Sequence, residues 1–202
     1  MKSVLISTHP KWVEKMCHKI GEDETGKAIY EKRIEVRKTA PQEVPFKCYI
    51  YETKGQYVKF THGAHTKYGY GRGKVIGAFI CDRIEMVNAK CSNYGIDLFY
   101  HDCLTNGCLT EREIEKYFNV PEDRDLRAMK GNGYVWNISD LKIYDKPKEL
   151  SEFRKPCPYG DLPCWICPSC DKDENDNLIQ CFNTVSRPPQ SWQYIEDLGE
   201  KE

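Results

Sequence analysis

The 202-residue chain lacks any apolar run approaching the roughly 18 residues of a membrane span. Its opening, Met1-Lys2-Ser3-Val4-Leu5-Ile6-Ser7-Thr8-His9-Pro10, has too short an apolar core for a secretory signal peptide. These absences set the expectation of a soluble cytoplasmic protein with no membrane partner. A net charge excess is missing too. Thirty Lys and Arg against 31 Asp and Glu leave −1, which excludes a uniformly cationic nucleic-acid binder. Gly71-x-Gly73-Lys74 lacks the spacing and the strand–loop–helix setting of a phosphate-binding P-loop. The length is that of one domain, or one domain with a small appendage.

Charge is present but unevenly placed. Residues 1–80 hold 15 basic and 8 acidic side chains, and the remainder 15 and 23. A basic part facing an acidic far side suits a polyanionic partner. Within the basic part, Arg33-Ile34-Glu35-Val36-Arg37-Lys38 predicts a strand, with Ile34 and Val36 on one face and Glu35 and Arg37 on the other. Lys32 stands three residues before Glu35 and leans over the same edge. A carboxylate between an ammonium and a guanidinium fork can engage a base, a phosphate or a scissile amide.

The order of elements points to an α+β fold with many short strands and two helices. Strands are expected at Val4–Ser7, Phe46–Thr53, Lys74–Cys81 (continued by Asp82–Met86), Gly133–Ile138, Leu141–Tyr144 and Ser191–Ile195. Trp12, Val13, Met16, Cys17 and Ile20 form one helical stripe over Lys11–Ile20, read as core. Thr110-x-x-Glu113 is a capping box opening a helix to about Asn119. Gly21–Gly26 and residues 89–109 read as loops. Cys91, His101, Cys103 and Cys108 in the latter form a loose candidate metal set. Gly77 marks a bend or a close backbone approach. Residues 54–73 interleave Tyr57, Phe60, His62, His65, Tyr68 and Tyr70 with Lys54, Lys59, Lys67 and Arg72. That composition suits stacking on, and charge contact with, a single strand or a flipped base. His62-x-x-His65 has metal-like spacing without a matching second pair nearby.

Eleven cysteines without a secretory signal favour metal over disulfides, since five crowd into one stretch. Cys157-x6-Cys164-x2-Cys167-x2-Cys170-x10-Cys181 has the spacing of a tetrahedral, structural zinc site. Four of the five suffice. Cys157, Cys164, Cys167 and Cys181 are favoured, and Cys170 can replace either neighbour. The segment from 156 to 185 has few apolar residues and needs such a staple to fold. The expected organisation is therefore a main domain over 1–155 and 186–198, a zinc-binding insertion over 156–185, and a tail over 199–202.

Lys32-x-x-Glu35-x-Arg37 resembles the ASCH-domain signature Gly-x-Lys-x-x-Glu-x-Arg, with Tyr30 in the place of the glycine. Pro45–Tyr51, Trp136–Pro147 and Arg187–Trp192 resemble further stretches of bacterial and phage ASCH proteins, in the same order, and Gly21–Tyr30 looks like an insertion between the first helix and the signature strand. The resemblance implies a small, partly open mixed β-barrel like that of PUA domains, with flanking helices and a cleft beside the first helix. It implies binding of RNA, single-stranded nucleic acid or a modified nucleotide at Lys32, Glu35, Arg37 and Lys38, with Tyr49 and Tyr51 as stacking candidates. It also implies two alternatives. One is a hydrolase, a ribonuclease or an acyl-cytidine amidase, with Lys32 and Glu35 as catalytic residues. In such amidases a threonine is the nucleophile, and here Glu35 occupies that position while Arg33 replaces another motif threonine. The other is a prophage-type regulatory module with a protein partner.

Overall fold

A computed structural model describes residues 2–60, 66–120, 129–160, 166–175 and 177–196, with the side chains of 58–60 and 66–68 left aside. The elements run β1 (Lys2–Thr8), α1 (Pro10–Cys17), β2 (Lys19–Glu22), β3 (Ala28–Tyr30), β4 (Ile34–Arg37) and β5 (Phe46–Glu52). Then follow β6 (Gln56–Phe60), β7 (Thr66–Tyr70), β8 (Lys74–Cys81), β9 (Ile84–Asn88), α2 (Asn93–Thr105) and α3 (Glu111–Phe118). The remainder are β10 (Asn132–Asn137), β11 (Ser139–Lys148), a 3-10 turn at Leu150–Glu152, β12 (Asp171–Lys172), β13 (Leu178–Gln180) and β14 (Trp192–Ile195).

Two sheets carry the fold. The larger is mixed, in the order β11-β8-β5-β1-β14, with β1 parallel to β5 and every other pair antiparallel. The smaller is β4-β10-β9, antiparallel. Among the described residues the strands form an α+β arrangement of separate sheets and not a closed barrel.

Strand alternation explains three cores. On β1 and β5 one face presents Val4, Ile6, Cys48 and Ile50, which pack with Val13 and Met16 of α1, Phe79 of β8 and Trp136 of β10. The other face presents Leu5, Tyr49 and Tyr51, closed by Phe153, Val185 and Ile195. Both faces are covered, which is why these strands read as near-continuous apolar runs. The small sheet is also covered twice. Its Ile34, Val36, Val87 and Val135 pack on Ile96, Phe99, Ile114 and Phe118 of α2 and α3, while Trp136 turns the other way, edge-on to Phe46 at 5.3 Å. Each large side chain sealed in this way contributes about 1.5–3 kcal/mol. Where β8 meets β11, a Cβ on Gly77 would stand 2.5 Å from the Lys142 carbonyl oxygen, the close approach its place in the strand predicts.

Four expectations need correction. The first helix stops at Cys17, and Ile20 lies in β2 with 55% of its surface exposed, because Lys19–Glu22 pairs with Ala28–Tyr30 as a hairpin. The Gly21–Gly26 loop is therefore partly strand. Residues 93–105 are a helix, capped by the Ser92 hydroxyl, which accepts from the Gly95 amide. Asp82–Met86 does not continue β8; a new strand starts at Ile84 and joins the other sheet. The expected tail over 199–202 lies outside the described residues.

Candidate functional site

The signature strand sits at the edge of the small sheet with all four residues buried. Alternation sends Ile34 and Val36 into the helix-covered core. Glu35 and Arg37 go to the opposite face, where their register partners are Trp136 and Tyr134. Three charged side chains therefore lie in the interior. Lys32, Glu35 and Arg37 are 2%, 6% and 8% exposed.

Buried charges need partners, and these have them. Glu35 Oε1 stands 2.9 Å from Arg37 Nη2 and Oε2 stands 3.4 Å from Lys32 Nζ. Lys32 Nζ also donates to the Gly107 carbonyl at 3.1 Å, just beyond the C-terminus of α2, an end of the helix dipole that favours a cation. The backbone holds the same junction, with the Arg33 and Ile34 amides both donating to Asn106 O. Arg37 Nη2 donates to Ser7 O at 2.9 Å, and Nη1 to Ser191 O at 3.3 Å. Lys32, Glu35 and Arg37 thus form one buried polar triad clamped between α2, β1 and the approach to β14.

This triad borders a pocket of about 490 Å³, within the roughly 300–1,000 Å³ of small-molecule sites. Ser7, Thr8, His9 and Trp12 line it from β1 and α1, Lys38 from the end of the signature strand, and Glu113, Lys116 and Tyr117 from α3. Lys11 spans the two helices. Its ammonium pairs with Glu113 in the first turn of α3 and lies 4.3 Å from the centre of the Trp12 ring. Lys38 Nζ stands 5.1 Å from the centre of the Tyr117 ring. Burial pushes the Tyr117 phenol above its ordinary pKa, so at neutral pH it remains a protonated donor. Burial also pushes the Glu113 carboxyl up, but hydrogen bonds from Lys11 and Thr110 outweigh it and hold the group below the usual carboxylate range.

Polar capacity is left over at this place. Among the described residues, Thr8 Oγ1, Glu35 Oε2 and Arg37 Nε are buried without a hydrogen-bond partner, and all three belong to pocket-lining residues. Such atoms are rare in folded proteins and carry a cost unless something else meets them.

The pocket gathers four of the six predicted nucleic-acid-binding residues, Lys32, Glu35, Arg37 and Lys38. Tyr49 and Tyr51 are not among them. They are 1% and 6% exposed on the far face of β5, and Tyr49 packs edge-on to Phe153 at 5.1 Å. The aromatic walls are instead Trp12, which helical periodicity assigns to the core, and Tyr117. Thr8 and Gly107 also carry no sequence signal, since their roles depend on which elements meet. Within the 54–73 stretch β6 and β7 pair antiparallel, and His62 and His65 lie outside the described residues. The base of this hairpin packs at the start of α1. A Cβ on Gly71 would fall 1.8 Å from Thr53 O and 2.6 Å from Pro10 Cγ.

The looser metal candidates are not brought together. Cys103 is sealed in the helix-covered core, Cys108 donates to Glu31 O, and Cys91 accepts from the Asn88 amide. In the second candidate set, Cys167, Cys170 and Cys181 pack against one another as a buried cluster. Cys157 is partly exposed, and Cys164 lies outside the described residues. Among the described residues no group of three or more His, Cys, Asp or Glu is already arranged around an ion-sized centre. No described helix is long and apolar enough to cross a membrane.

No protein-family model matches the chain, and no curated protein matches it. Solved structures do. It is similar to ASCH from Zymomonas mobilis at 15% sequence identity and a TM-score of 0.49, covering 97% of this chain and 89% of that one. A point mutant of that protein matches at 15% and 0.49 over 98% and 92%. These proteins bear the domain name that the Lys32-x-x-Glu35-x-Arg37 signature resembles. At this level of likeness the chemistry of the pocket is decided by its own side chains.

Proposed function

We propose that the pocket between α1, α3 and the signature strand binds a single nucleotide, unstacked from RNA or another single strand or carrying a modified base. The observation that carries this reading is the set of buried polar atoms without a hydrogen-bond partner beside aromatic walls. Glu35 Oε2 and Thr8 Oγ1 can serve the polar edge of a base. Trp12 and Tyr117 offer ring faces for stacking. Lys38 and Lys116, at the pocket lining, suit a phosphate. Arg37 and Lys32 hold the Glu35 carboxylate in position and are not themselves the main phosphate contacts, because backbone carbonyls already occupy them.

The test is a titration of the full chain with short single-stranded RNA, single-stranded DNA and a nucleoside panel at two salt concentrations. Trp12→Ala is expected to weaken binding by about 5- to 150-fold, the equivalent of roughly 1–3 kcal/mol of stacking. Lys116→Ala and Lys38→Ala are expected to flatten the salt dependence. No binding to any of these at either salt concentration refutes the reading.

A hydrolytic second reading draws on one observation: the unpartnered Thr8 hydroxyl lines the same pocket as Lys32 and Glu35. Turnover of an acylated cytidine or of RNA that is lost in Thr8→Val would favour it over binding alone.

A further inference from the structure

The chain leaves the main body and returns to it at one point. Arg154 pairs with Thr184 as an isolated antiparallel bridge, flanked by the Val185 amide donating to Phe153 O at 2.8 Å and the Lys155 amide donating to Asn183 O at 2.9 Å. Burial in the excursion between them is inverted. Ile166, Leu178, Ile179 and Phe182 are 44%, 36%, 67% and 45% exposed, while Cys167, Cys170 and Cys181 are 1%, 8% and 6% exposed. Three clustered thiols with their apolar neighbours turned outward do not make a hydrophobic core. Among the described residues of this segment, apolar burial is not what gathers the chain.

The backbone presents the three sulfurs in a particular way. Cys167-Pro168-Ser169-Cys170 closes a turn, with the Cys170 amide donating to Cys167 O at 3.5 Å. The hairpin β12–β13 leaves from Cys170 and returns to Cys181, and its Asp171–Gln180 pairing sets those two cysteines side by side at the base. A second turn follows, with the Thr184 amide donating to Cys181 O at 3.0 Å. The Ser169 amide points at the Cys167 sulfur, which also lies against the Cys170 thiol. The Phe182 amide points at the Cys170 sulfur, which touches the thiols of both Cys167 and Cys181. Three sulfurs gathered at one point, two of them met by backbone amides, are a donor set for a thiophilic cation.

We propose that Cys167, Cys170 and Cys181 are thiolate ligands of one structural zinc ion, with Cys157 as the fourth. The bridge supports the fourth assignment: it joins the two chain segments at Arg154 and Thr184, and Cys157 and Cys181 each stand three residues from it on the excursion side. Cys170 is then a ligand, in contrast to the spacing argument that leaves it spare. On binding, each thiol releases its proton to solvent and its sulfur joins the metal, with no change in oxidation state. The ion closes a segment whose described apolar residues Ile166, Leu178, Ile179 and Phe182 do not.

The experiment uses the full chain purified under reducing conditions. Elemental analysis is expected to find about one zinc per chain. Replacement by cobalt(II) is expected to give intense thiolate charge-transfer absorption and the d–d bands of a tetrahedral site. Cys170→Ser and Cys181→Ser should lose the metal, Cys157→Ser should hold it at least ten-fold more weakly, and Cys91→Ser should retain it in full. Full retention in Cys170→Ser overturns the proposal, and full retention in Cys157→Ser overturns the fourth assignment. Should the serine variants fail to fold, the cobalt spectrum of the unmutated chain decides alone. Absence of charge-transfer bands, or a mass two daltons low from a disulfide among these cysteines, overturns the site.

Discussion

Replacing Glu35 by glutamine tests the buried triad directly. The side chains of Glu35, Lys32 and Arg37 are only 8%, 3% and 9% exposed, so water screens little of their interaction. Glutamine keeps the shape and removes the one negative charge, leaving an ammonium and a guanidinium facing a neutral amide. Breaking a buried pair in this way costs about 3–5 kcal/mol. For a chain of this length each kcal/mol is worth about 2–4 °C, so the melting temperature is expected to fall by about 6–20 °C. Lys32→Met should cost less, about 1–3 kcal/mol, because Glu35 keeps its closer partner Arg37 while Glu35 Oε2 loses the 3.4 Å ion pair and Gly107 O its donor. The double variant Lys32→Met/Glu35→Gln should cost less than the sum of the two, since it removes an unpaired cation along with the charge that balanced it. Urea unfolding followed by circular dichroism measures all three. A Glu35→Gln effect below about 0.5 kcal/mol, or strict additivity in the double variant, refutes the triad as a coupled buried unit.

Other expectations follow from single features. Phe118→Ala should destabilise by about 3–5 kcal/mol, seen as a lower urea midpoint, because Phe118 is fully buried beneath the small sheet and edge-on to Phe99. Thr110→Ala should cost about 1 kcal/mol by the same assay, since its hydroxyl caps α3 reciprocally with Glu113. The folded-state pKa of Glu113 is depressed, so its contribution is present above its unfolded pKa of about 4.3 and is lost as pH falls through the lower folded value. Unfolding midpoints measured from pH 3 to 7 should show an acid limb that Glu113→Gln makes shallower. Gly71→Ala should disturb the base of the β6–β7 hairpin, detectable as faster amide exchange there, because its Cβ has no room beside Thr53 O.

The legible parts of this protein are those governed by local rules. Two-residue alternation placed Ile34 and Val36 opposite Glu35 and Arg37, and Thr110 with Glu113 marked the start of α3. Helix α2 has a full helical stripe in Ile96, Phe99, Tyr100, Cys103 and Leu104, but the exposed Tyr94 and Leu98 on its outer side and Gly95 in its first turn blur that period in the sequence. The pocket walls were hidden for a different reason. Trp12 lies in register with the buried Val13 and Met16 stripe, and only the arrival of α3 across from it leaves its ring beside a cavity. Tyr49 and Tyr51 alternate correctly, but Phe153 and Val185 cover a face that the strand alone leaves open. Distant partners decided both outcomes.

The Arg37 guanidinium is held by the carbonyls of Ser7 and Ser191, thirty and 154 positions away along the chain. Lys32 reaches 75 positions to Gly107. Contacts of such span are slow to form because loop-closure entropy comes first. The pocket floor thus needs β1, the signature strand, the end of α2 and the approach to β14 all in place at once. A ligand seated there reports on complete folding, and at a hundred times its Kd it adds about 2.7 kcal/mol to the stability of the whole chain. On the proposed nucleotide reading, assays without that nucleotide would hold a measurably less stable population of the same protein.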